Sequence, residues 1–166
     1  MSMKNLKIVF FLLIGIITLG GCQPTVDNDT ALSDVQLLLE KYVIANETKN
    51  IELIKEIWAP DDNITIFGTE SDEKIVGWTQ IQNTFIKQFE SFEETYISVT
   101  DQNINLDKTH NTAWFSEILN YNYTLDGQAK KFEGLRFTGV LEKMDGKWHI
   151  VQSHMSVPYD TMEHPK

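Results

Sequence analysis

The side chains best placed to do chemistry are Arg136, Glu117, His154 and the Asp61-Asp62 pair. Arg136 is the only arginine, beside thirteen lysines, and stands between Leu135 and Phe137 in a stretch of strand-like alternation. A guanidinium there could grip a carboxylate with two parallel hydrogen bonds, which an ammonium does less well. Alternation groups Leu135, Phe137, Gly139 and Leu141 as the better core face and leaves Arg136 with the mixed set Thr138, Val140 and Glu142. An interface or surface role is therefore the first reading of Arg136, and an anion anchor the second. Glu117, between Ser116 and Ile118, is either a solvent-facing strand residue or an inward carboxylate able to carry a proton. His154 is either a structural histidine or an acid/base group. Ser156 lies two residues beyond it, but a serine beside a histidine on one strand lacks the sharp turn a hydrolytic nucleophile needs. Asp61 and Asp62 follow Pro60 and read first as a solvated turn.

Trp58, Phe67, Trp78, Phe85, Phe89, Trp114, Tyr121 and Phe137 form an aromatic set. Most must be core, and some could line an apolar pocket for a planar or greasy ligand. The four histidines have no metal-ligand spacing, and no glycine-rich phosphate loop is present, so no metal and no cofactor are expected.

The elements that must position these groups follow from periodicity. Helical spacing predicts a helix over 30–50, with Leu32, Val35, Leu38, Leu39, Tyr42 and Ala45 on one face and Thr30 or Ser33 as its cap. A short helix over 51–58 stops at Ala59-Pro60. Residues 64–67 and 74–76 read as a small hairpin, and 77–89 as a third helix carrying Trp78, Ile81, Phe85, Ile86 and Phe89 on one face. The period then changes to two, giving strands over 95–106, 112–125, 129–144 and 147–157, with Asp126-Gly127 and Asp145-Gly146 as hairpin turns. The sum is an α+β domain with helices on one face of a curved antiparallel sheet.

The N-terminus fixes location. Lys4 and Lys7 precede the apolar run Ile8–Ile17, and Leu19-Gly20-Gly21 leads into Cys22, the only cysteine. The run is ten residues, short of the ~20 a membrane-spanning helix needs. Small residues before a cysteine mark a lipoprotein signal, in which Cys22 is lipidated and becomes the new N-terminus. More than one acyl chain would suffice for stable anchoring. Gln23 after the cysteine, in place of aspartate, favours the outer membrane if the cell has one. The formal charge of −10 repels nucleic acid and anionic headgroups, so the membrane is expected as a partner only through the lipid. With no second cysteine, no internal disulfide forms.

The C-terminal order is Arg136-Phe137-Thr138-Gly139-Val140-Leu141-Glu142-Lys143, then Asp145-Gly146-Lys147-Trp148-His149-Ile150-Val151, then His154-Met155-Ser156-Val157-Pro158. Together with Trp58-Ala59-Pro60-Asp61-Asp62, Phe67-Gly68 and Gly77-Trp78, it resembles the SnoaL-like branch of the nuclear transport factor 2-like superfamily over roughly residues 30–157. The resemblance implies a cone in which a curved sheet and three N-terminal helices enclose a pocket, with pairs associating through the outer sheet face. It also implies that Asp62 lies near the region where isomerases of this fold hold a base carboxylate. The superfamily's kinase-association domains carry pocket arginines where this chain has Gly139 and Met155, which points to a less charged cavity.

The expected organisation is a signal and lipidation site over 1–22, a tether over 23–29, the SnoaL-like domain over 30–158 and a tail over 159–166. The expected function is a lipid-anchored, homodimeric envelope protein that binds a small hydrophobic molecule or mediates assembly without catalysis. Its ligand-binding candidates are Trp58, Phe67, Trp78, Phe85, Trp114, Tyr121, Arg136, Phe137 and His154. The alternative is a small isomerase, dehydratase or hydrolase using Asp62, Glu117 or His154 for proton transfer.

Overall fold

The computed structural model describes residues 27–158. The expected signal, Cys22, most of the tether and the C-terminal tail lie outside them. The chain order is three helices interleaved with a small hairpin, then four long strands. Helix α1 spans Asn28–Glu47 and buries Ala31, Val35, Leu38, Leu39, Tyr42, Ala45 and Asn46 along one stripe. It starts at Asn28 rather than at the anticipated Thr30, with Asp27 at the N-cap making no side-chain capping bond. Lys49 turns the chain at φ 53°. Asn50 then caps α2 (Ile51–Ile57), its side chain accepting hydrogen bonds from the N–H groups of Glu52 and Leu53. Satisfying those free donors is what starts so short a helix.

Strands β1 (Thr65–Phe67) and β2 (Lys74–Val76) form the anticipated hairpin. Gly77 follows at φ 84° and opens helix α3 (Trp78–Ser91). A Cβ at Gly77 would stand 3.2 Å from the Asp62 carbonyl, so this close approach and the positive φ both call for glycine. The long strands are β3 (Phe92–Leu106), β4 (Thr112–Leu125), β5 (Gln128–Met144) and β6 (Lys147–Ser156). Both Asp-Gly turns have positive φ at both residues, the geometry that suits two-residue hairpins: Asp126 at 51° with Gly127 at 69°, and Asp145 at 49° with Gly146 at 80°.

The sheet order is β2-β1-β6-β5-β4-β3. The sheet is mixed, because β1 runs parallel to β6, pairing Ile66 with Ser153 and Phe67 with His154. The sequence marks the hairpin and the meander but not this join. It depends on the chain crossing through α3 and the meander before β6 returns, which local periodicity does not encode. Register shifts interrupt β3–β4 between Thr100 and Asn103, β4–β5 between Leu119 and Tyr121, and β5–β6 between Val140 and Leu141. Such bulges bend strands and curl a sheet.

The concave face carries Phe115, Glu117, Leu119 and Tyr121 from β4 and Leu135, Phe137 and Leu141 from β5, all buried against the helices. Rings run through the contact: Phe137 lies 5.0 Å from Tyr42 and 4.9 Å from Phe115. Gly139 belongs to the same face. A Cβ there would come within 2.6 Å of the Gln152 carbonyl oxygen and 2.7 Å of the Phe115 ring. There is thus no room at 139 for a larger side chain. Gly139→Ala is expected to lose about 1–3 kcal/mol by overpacking, read as a lower urea midpoint at unchanged m-value.

Candidate functional site

A cavity of about 280 Å³ lies between α1, α3 and the concave sheet. Its walls are aromatic: Tyr42 from α1, Trp58 after α2, Phe85 from α3, Phe92 from β3, Tyr121 and Tyr123 from β4, and Phe132 from β5. Leu135, Ser153 and Met155 complete the sheet side. The β1–β2 loop closes the exposed side with Gly68, Thr69, Glu70 and Glu73. The arrangement follows from the bulge in β5 at Glu133 and Gly134 (φ 66°), where the Gly134 N–H donates to the Asn120 side chain at 3.0 Å. Past that bulge, Phe132 rather than an outward residue pairs with Tyr121 and turns into the cavity.

One polar network reaches the lining. The Gln88 amide donates to Asn46 Oδ1 at 3.1 Å and to the Tyr121 hydroxyl at 2.9 Å. Tyr121 donates to Asn46 Oδ1 at 3.4 Å, and the Asn46 amide donates to the Tyr42 carbonyl at 2.8 Å. Burial pushes both phenols, Tyr42 and Tyr121, well above the ordinary tyrosine range. Each therefore stays protonated across physiological pH and serves as a hydrogen-bond partner rather than a base. The Trp58 indole N–H is buried without a hydrogen-bond partner.

Of the residues singled out in the sequence, Trp58, Phe85 and Tyr121 line this cavity. Phe137 is fully buried beneath it, between Tyr42 and Phe115. Trp78 is half-buried at the start of α3 and outside the lining. Phe67 and Trp114 are 41% and 47% exposed, which puts them on the outer sheet face. His154 is exposed on that face too, edge-on to Phe67 at 6.0 Å. Arg136 is exposed there as well, in register with Ile118 and Ser156. Asp62 is exposed, and its neighbour Asp61 accepts from the Asn63 N–H at 2.7 Å, an Asx turn.

Glu117 points into the core at 2% exposure. Its Oε2 accepts from Gln102 at 2.7 Å, while Oε1 has no hydrogen-bond partner. Burial pushes this carboxyl above the usual carboxylate range, and the Gln102 bond only partly offsets that. Glu117 does not line the cavity. Asp62, Glu117, Arg136 and His154 are thus not brought together.

Asn46 and Gln88 were missed in the sequence, although a signal was there. Asn46 sits on the α1 stripe after Tyr42, and Gln88 continues the Ile81–Phe85 spacing on α3. A polar residue at a core-facing helical position is a bonded network in waiting. Among the described residues no group of His, Cys, Asp and Glu could hold a metal ion, and no helix is long and apolar enough to cross a membrane.

Residues 35–160 match the model of the SnoaL-like domain. The chain resembles several solved structures. A nuclear transport factor 2-like superfamily protein from Salmonella enterica serovar Typhimurium superposes with TM-score 0.74 at 17% identity, over 84% of this chain and 99% of that one. A candidate scytalone dehydratase from Novosphingobium aromaticivorans gives TM-score 0.71 at 11% identity, over 84% and 91%. A candidate calcium/calmodulin-dependent protein kinase II association domain from Xanthomonas campestris gives 0.64 at 26% identity, over 76% and 87%. No curated protein matches the chain. The fold is the nuclear transport factor 2-like α+β fold, and the chain belongs to the SnoaL-like domain family.

Proposed function

We propose that this SnoaL-like chain is an envelope lipoprotein, anchored through Cys22, whose domain binds a small hydrophobic molecule in the aromatic cavity without transforming it. The observation that carries the reading is the lining itself. Seven rings surround about 280 Å³, and the ionisable groups among the lining residues are tyrosines and the two carboxylates of the β1–β2 loop. Phenols held protonated by burial and carboxylates at the exposed side make a poor acid/base pair for proton transfer. The exposed Phe67, Val76 and Trp114 on the outer face, beside half-buried Ile118 and Val140, support pairing of two copies through that face.

Proton transfer by a SnoaL-type enzyme is the second reading, and Glu117 favours it, as a buried carboxyl with a raised pKa on the concave face. That reading needs the cavity to extend past Tyr42 to reach it.

Ser153→Phe tests the binding reading. Ser153 lines the cavity from β6 at 1% exposure, and a ring there takes up ligand space. With a neutral fluorophore such as N-phenyl-1-naphthylamine, wild type is expected to show saturable binding. The variant is expected to weaken it about a hundredfold, the scale of losing several buried apolar contacts. Equal binding by a folded Ser153→Phe chain would place the probe elsewhere and defeat the reading. Anchoring has its own readout. The intact mass of the chain from the membrane fraction should show Cys22 as the N-terminus carrying acyl chains, and an unmodified Cys22 would refute the lipid anchor.

A further inference from the structure

The charge of the lining goes beyond the statement that the ligand is apolar. The cavity wall includes the carboxylates Glu70 and Glu73 and contains no lysine, arginine or histidine. Neither carboxylate belongs to an ion pair among the described residues. Glu73 is held in a built position. Its carboxylate fills the place a Cβ on Gly68 would occupy, and Gly68 is itself a lining residue. The Gly68 N–H donates to the Glu73 carbonyl at 2.9 Å, tying the loop closed beneath that carboxylate.

The nearby cationic groups lie outside the cavity lining: Lys74 and His154 share with Glu70 and Glu73 only a separate pocket on the outer side of the β1–β2 loop. Lys74 lies over the Phe67 ring at 5.7 Å, on the outer side of the hairpin. Lys49 donates to the Phe92 carbonyl and is not among the lining residues. Seven of the other lining residues carry rings, whose faces attract positive charge and repel negative charge, and the rest are neutral.

We infer that the cavity selects an apolar cation: a ring or short hydrocarbon body among Tyr42, Phe85 and Tyr121, with an ammonium group at Glu70 and Glu73. This rests on the cavity-binding reading above and names the ligand class for it. A fatty acid or other carboxylate would bring its anion against two glutamates and the negative faces of the rings.

The test uses three probes of nearly equal size on the full chain in detergent: 1-naphthylmethylammonium, 1-naphthalenemethanol and 1-naphthoate. Affinities come from calorimetry at low and high salt. The cation is expected to bind about tenfold more tightly than the alcohol at low salt, with the naphthoate weakest. In the Glu70→Gln, Glu73→Gln double variant that preference should fall to near unity while the alcohol keeps its affinity. If the alcohol and naphthoate bind as well as the cation, and Ser153→Phe weakens all three, the cavity reading stands and the cation inference fails. If the cation's preference survives in the double variant, the glutamates are not its cause and the inference fails. If none of the probes binds, or Ser153→Phe weakens none of them, both readings fail together.

Discussion

Phe137→Ala should lose about 3–5 kcal/mol of stability, the cost of removing a fully buried ring and leaving a cavity. Phe137 is 0% exposed and joins the layers: its ring meets Tyr42 of α1 at 5.0 Å and Phe115 of β4 at 4.9 Å. Its loss undoes contacts on both sides of the helix–sheet interface, and neither neighbour can close the gap without leaving its own. A marginal domain commonly holds about 5–15 kcal/mol in total, so the variant should unfold at much lower urea. Trp114 provides the contrast. It is 47% exposed on the outer face, and Trp114→Ala should change monomer stability by no more than about 0.5 kcal/mol. Under the proposed pairing of two copies through the outer face, its effect should appear in dimer dissociation instead. Similar losses for the two aromatics would mean that the two faces of the sheet have been assigned wrongly.

Glu117→Gln should stabilise the domain at alkaline pH by about 2 kcal/mol and change it little near pH 4, on the scale of burying a poorly partnered charged group. Burial raises the folded-state pKa of this carboxyl, so the folded chain holds its proton more tightly than the unfolded chain does. Stability from this group is complete below the ordinary carboxylate value. It is lost as pH rises from there to the raised folded value, and levels off above it. The glutamine cannot ionise, so the difference between variant and wild type should open across that window. The polar groups that bear on Glu117 are Gln102, at 2.7 Å, and the Tyr42 phenol. Neither is a cation that could hold the ionised form. Denaturation curves at several pH values read the effect. A glutamine variant less stable than wild type at pH 8 would mean that Glu117 is ionised and well partnered in the fold.

The elements were legible in the sequence because each has a sharp local period. The α1 stripe from Val35 to Ala45, the alternation of Leu135, Phe137 and Leu141, and the two Asp-Gly turns all fall where periodicity and turn chemistry put them. The parallel join of β1 to β6 was not legible, since nothing near residues 65–67 encodes a partner at 152–154. The cavity was only partly legible. Trp58, Phe85 and Tyr121 were chosen as aromatics and do line it, whereas Phe67 and Trp114 share that chemistry and lie on the opposite face. For Trp114 the strand parity held the answer, because it alternates with the buried Ala113 and Phe115. Phe92, Phe132 and Met155 escaped because their inward aim depends on bulges and strand ends, where alternation slips by a residue. Glu117 sits in the buried parity of β4, and the general rarity of buried carboxylates argued against taking that parity at face value.

Native mass spectrometry of the protein, purified from cells in mild detergent without added ligand, bears most directly on what the cavity is for. Wild type should carry a reproducible small-molecule adduct that Ser153→Phe loses while remaining folded. Wild-type and Ser153→Phe chains with identical, adduct-free spectra, together with no uptake of the neutral naphthalene probe, would contradict a ligand-binding cavity and leave the domain as a filled scaffold.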